Sequence, residues 1–152
     1  MPVVVSLLAL LGLVPLAVLA FGAAGYVRFV ADRMLVALVD YVAVLLAFTG
    51  GTHWAVGLWP GSGRSPIRLT VAVLPMVVGW IGLITSQFVS PSVALIVLIA
   101  GTLATMLTEH QAARRQPALQ ASLWVRWTFS GLVIAAMALV LLLRGVGQAF
   151  PF

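Results

Sequence analysis

Any chemistry in this chain has to come from few side chains. There are three acids, Asp32, Asp40 and Glu109, two histidines, His53 and His110, and eight arginines, with no lysine and no cysteine. No nucleophile and base pair, no metal-ligand motif and no phosphate-binding loop can be assembled from them, so no catalytic or metal-binding residues are assigned and a non-enzymatic role is favoured. Two groupings are left. Asp40 and His53 stand 13 residues apart, about 20 Å along one helix and on different faces, so they cannot serve one site. Asp40 is expected in a structural ion pair with Arg33, two turns earlier, or with Arg144, because an unpaired acid inside a membrane is costly. The other grouping is "FTGGTHWA" (48–55) with "TEH" (108–110) and the arginine of "LWVRW" (123–127). It brings Thr49, His53 and Trp54 towards Glu109, His110 and Arg126. These groups could form a polar pocket for a quinone, a lipid or the edge of a haem, or an interfacial capping network. In the haem version, His53 and His110 would be the two axial imidazoles.

The elements that must position these residues follow from composition. With 63% hydrophobic and 7% charged residues, the chain cannot cover a soluble surface, and an all-α integral membrane protein is predicted. The net charge of +5, carried by arginine, reports loop topology and not a nucleic-acid partner. Uncharged runs at about 20 residues per crossing give a bundle of five transmembrane helices with short loops, spanning about 3–27, 34–59, 69–87, 91–108 and 124–143. The first is read as a retained helix, since no basic segment precedes it. Loops are expected at 28–33, 60–68, 86–92 and 109–122, where arginine, proline, glycine and serine gather.

Five crossings place the N-terminus and the 60–68 and 109–122 loops on one side, with Arg64, Arg68, Arg114, Arg115 and Arg126. The opposite side carries Arg28, Arg33 and Arg144. This bias makes the first side cytoplasmic. Trp54, Trp59, Trp124 and Trp127 fall at that interface, whereas Trp80 lies in the middle of the third span, where its indole N–H needs an acceptor. Gly50 and Gly51 in the second helix, like Gly79 and Gly82 in the third, allow a close approach of backbones or of a flat ligand. The short 109–122 connection returns the chain antiparallel, so Glu109 and Arg126 are expected to pair, with His53 and Trp54 covering them.

"LLGLVP", "FTGGTHWAVGL", "LPMVVGW" and "LWVRWTFSG" together resemble the family named domain of unknown function 3429, which includes the mitochondrial transmembrane protein 69. The likeness runs from about Leu11 to Leu143, and its distinctive part is the Gly-Gly-x-x-Trp segment. This chain departs from the pattern at Ala55, where the family has glycine, and at "ASLWV", where it has a Trp-Tyr pair. The resemblance implies a small multi-pass protein of bacterial or mitochondrial inner membranes and no particular activity. The expected role is an accessory or assembly subunit that packs, within the lipid bilayer, against a larger complex of other membrane-protein subunits, such as a respiratory complex. The alternative is a protein that binds quinone, lipid or haem at the polar aromatic cluster.

Overall fold

A computed structural model describes residues 2–25, 28–58, 66–115 and 117–149. Five helices account for almost all of them: α1 (Pro2–Ala23), α2 (Arg28–Leu58), α3 (Pro66–Phe88), α4 (Pro91–Arg115) and α5 (Pro117–Ala149). Four of the five begin on proline. In the first turn the missing N–H has no carbonyl to miss, and the fixed φ is already helical, so proline starts a helix cleanly and cannot extend one backwards. The α3–α4 turn shows the local chemistry in full. The Thr85 carbonyl accepts the N–H groups of Val89 and Ser90, each at 3.0 Å. Ser90 then caps α4, its Oγ accepting the Val93 N–H at 3.2 Å.

The connections are shorter than the charge pattern predicts. Residues 28–33 form the opening turns of α2, residues 86–88 close α3, and the 109–122 segment is helical apart from residue 116, which is not described. Charge marks where a chain leaves a hydrocarbon layer, not where its backbone stops being helical, and a stretch such as "EHQAARR" consists largely of good helix formers. Among the described residues, three stretches are long and apolar enough to cross a membrane: Phe29–Ala55, Pro91–Gln111 and Trp124–Val146. α1 and α3 contribute the shorter apolar stretches Leu11–Ala23 and Ala72–Phe88. Trp59 and Arg64, used above to fix boundaries, lie outside the described residues.

Among the described residues the helices pack as a closed ring, each against the next in sequence and α5 back against α1, while α2 also touches α4 across the middle. Leu38, Val39 and Val42 of α2, Leu95 and Leu98 of α4, and Met137 and Val140 of α5 are fully buried at the centre. Phe21, Phe48 and Trp124 stand exposed on the outside, so the helices are apolar on both faces. The tightest seam joins α2 to α3. A Cβ on Gly50 would lie 2.7 Å from the Ala72 carbonyl oxygen, and one on Gly79 would lie 2.8 Å from the Ala43 carbonyl oxygen. Each glycine thus faces the other helix's backbone, in the small-residue contact that lets helices meet without a hydrophobic drive. Tyr41 ties α2 to α1 by donating to the Gly12 carbonyl at 2.5 Å.

Candidate functional site

The α2–α4 contact divides the ring, and polar side chains of α2, α4 and α5 meet on the α5 side of it. Arg126, in the third turn of α5, donates from Nη2 to Glu109 Oε1 at 2.5 Å. His53, in the last part of α2, places Nε2 3.0 Å from the same oxygen and 3.1 Å from Arg126 Nη2. One nitrogen cannot serve both neighbours at once. As N–H it donates to Glu109, and as a bare nitrogen it accepts from Arg126. The Glu109 side chain is 4% exposed, against 27% for His53 and 30% for Arg126, so the carboxylate is the buried hub and the two donors reach it from outside.

One turn further in, a cavity of about 20 Å³ opens between α2, α4 and α5. Thr49, Thr102, Thr105 and Ser130 contribute hydroxyls to its lining, and Val42 and Phe129 contribute apolar surface. The three threonines donate to carbonyls one turn back in their own helices, Leu45, Leu98 and Gly101, at 2.8 to 3.0 Å. Their oxygens therefore act towards the cavity as acceptors. The space suits a water molecule; a quinone ring or a porphyrin would need several hundred Å³.

The predicted residues divide as follows. The expected Glu109–Arg126 pair is present with His53 beside it, and Thr49 lines the adjoining cavity. His110 packs on Trp127, with ring centres 5.2 Å apart, whereas His53 meets Glu109 and Arg126, so the two histidines have different neighbours. Trp54 is 47% exposed, so about half of its surface is turned outwards. Trp127, adjacent to the arginine, is the aromatic residue packed at the cluster, and its own position in the sequence was the available signal. Gly50 makes the close approach, towards α3; Gly51, rotated about 100° around the helix, has nothing within 4 Å. Trp80 is 61% exposed on the outer face of α3.

The second predicted ion pair is also different. Arg144 binds Asp32, not Asp40, and donates from Nη1 to the Ala23 carbonyl at 3.2 Å, closing the end of α1. Arg33 lies over the Phe29 ring at 4.6 Å. Asp40 is exposed and has no ion-pair partner among the described residues. Once residues 28–33 are helical, Asp32 comes within reach of α5, whereas Asp40 sits on the outward face of α2. Among the described residues no group of three or more His, Cys, Asp or Glu side chains could hold a metal ion.

An all-helical ring with an apolar exterior, three potential membrane-crossing helices and one internal charged cluster defines the class of the protein. The chain belongs to the family described as "Protein of unknown function (DUF3429)", whose model matches residues 1–142. No curated protein and no solved structure matches it.

Proposed function

We propose that this is a non-enzymatic, multi-pass protein of an inner membrane, in which all five helices cross the bilayer and the bundle serves as an accessory or assembly subunit for a larger membrane complex. The observation that carries this reading is how the charged cluster is used. Glu109 Oε1, Arg126 and His53 bind one another, joining three helices beside a water-sized cavity, while the exterior is apolar. Such a cluster acts as an interhelical clamp, and the outer faces are then what the protein offers to its surroundings. The arginine bias puts the N-terminus and the α2–α3 and α4–α5 connections in the cytoplasm.

Co-purification from native membranes in mild detergent tests the proposal. A stoichiometric membrane-protein partner supports it, and a monodisperse chain without partners in several detergents overturns it. Reporter fusions after Ser65 and after Gln116 should report the same, cytoplasmic side. Opposite answers would remove one crossing.

A second reading, a small-ligand protein, has its own support. Glu109 Oε2, His110 Nδ1 and Trp127 Nε1 are buried without a hydrogen-bond partner in adjoining turns of α4 and α5. Buried polar atoms ordinarily have partners, so a ligand with both donor and acceptor groups could complete them. A quinone or haem chromophore in the visible spectrum of the purified protein would favour this reading over the first.

A further inference from the structure

We infer that His53 is a proton-dependent counter-ion of Glu109, so that the cluster joining α2, α4 and α5 binds a proton from the aqueous phase at that end and then keeps its buried carboxylate paired without Arg126. The inference rests on the reading of the cluster as an interhelical clamp and adds its regulation.

The geometry of the cluster carries it. Glu109 and Arg126 already neutralise each other, yet a third group stands against both charged atoms: His53 Nε2 lies 3.0 Å from Glu109 Oε1 and 3.1 Å from Arg126 Nη2. The imidazole is partly exposed whereas the carboxylate is buried, so a proton from water reaches His53 without the bundle opening. Glu109 also has capacity for a second cationic donor, because Oε2 is buried without a hydrogen-bond partner.

Protonation decides which neighbour the imidazole serves. A proton added to the bare ring nitrogen leaves an N–H on both, and Nε2 then donates to the carboxylate in a charge-assisted bond while facing a guanidinium donor of like charge. Arg126, partly exposed on a flexible stem, is the partner that can yield. Imidazole is the side chain whose charge changes near neutral pH, so His53 supplies what a second arginine in its place would not.

Few other ionisable groups surround the cluster. α4 adds His110, which packs on Trp127, and Arg114, which is exposed. The other ionisable residues of α2 and α5, the nearest being Tyr41 and Arg144, lie three or more turns away along their helices. α1 has no ionisable side chain. α3 has Arg68, whose side chain, like that of Arg115 in α4, lies outside the described residues.

Arg126→Gln in the full chain isolates the contribution of the imidazole. Equilibrium unfolding in mixed micelles would be followed at about pH 8 and about pH 5, on either side of the ordinary imidazole value of about 6.5, for the parent chain, Arg126→Gln, His53→Gln and the double variant. In Arg126→Gln the imidazolium pairs with a buried carboxylate only when the chain is folded, so proton binding favours folding and stability rises as pH falls. Relative to the parent at the same pH, the folding equilibrium constant of Arg126→Gln should rise roughly tenfold from the higher to the lower pH. That of the double variant, relative to His53→Gln, should not change. A gain that persists without His53 puts the proton on Glu109 itself and overturns the inference. So does an Arg126→Gln loss that is large and equal at both pH values, which leaves the clamp standing. An Arg126→Gln chain as stable as the parent at both would instead remove the clamp. Infrared spectra keep the test open should His53→Gln not fold: a protonated-carboxyl band that grows on acidification in Arg126→Gln and not in the parent overturns the inference, and the pH-dependent gain without that band supports it.

Discussion

Removing either charge of the Glu109–Arg126 pair should destabilise the protein, but by unequal amounts, because the two groups differ in access to solvent. Arg126→Gln leaves a carboxylate that is 4% exposed, with His53 as its one remaining polar neighbour and Oε2 already without a partner. Stranding a buried charge in this way costs about 3 to 5 kcal/mol. Glu109→Gln strands an arginine that is 30% exposed and can swing its guanidinium outwards on a flexible stem. The loss is then closer to that of a charged hydrogen bond, about 2 kcal/mol. The double substitution removes both charges and leaves two amides that can bond to each other, so it should cost no more than Arg126→Gln alone. The coupling energy is then at least the Glu109→Gln loss, about 2 kcal/mol. Equilibrium unfolding of the purified full chain, titrated with denaturing detergent in mixed micelles, measures all four corners of this cycle. Losses that add to within about 0.5 kcal/mol would mean that the charges do not interact. A Glu109→Gln loss exceeding that of Arg126→Gln would refute the assignment of the carboxylate as the buried hub.

The α2–α3 seam predicts that Gly79→Ala costs about 1 to 3 kcal/mol in the same assay, since its Cβ meets a backbone carbonyl that cannot give way. Gly51→Leu, in open space, should not destabilise the monomer and should gain up to about 1 kcal/mol from helix propensity. Asp32→Asn should cost about 0 to 1 kcal/mol, because the Asp32 side chain is 65% exposed. Arg144→Gln also gives up the bond to the Ala23 carbonyl, and its thermal midpoint should fall further than that of Asp32→Asn. Tyr41→Phe should cost about 1 kcal/mol by removing the bond to Gly12, without altering the secondary structure seen by circular dichroism.

The sequence made the number of helices legible because runs without charge are long, and it made the Glu109–Arg126 pair legible because a short connection fixes which helix ends are neighbours. Rotation about a helix axis was not legible. In a soluble helix the polar face tells which side points inwards, but α2 and α3 are apolar all round, so that signal vanishes. Gly50 and Gly51 therefore looked equivalent, and Trp80 looked internal. The partner of Arg144 was missed for another reason. Reading residues 28–33 as a loop removed Asp32 from the helix that carries it to α5, leaving Asp40 as the apparent choice.

The contact between α1 and α5 closes the ring, and it sets an order of events during synthesis. Four helices exist before Phe129 can seat against Gly12 or Arg144 can reach Ala23, so the wall between α1 and α4 stays open until the last helix has emerged. Over that interval Glu109 is already made and Arg126 is not. A nascent chain would then carry its most buried acid without a counter-ion, exposed to whatever chaperone or insertase attends the opening. Arrival of α5 ends that exposure, bringing Arg126 to Glu109 and closing the ring against α1.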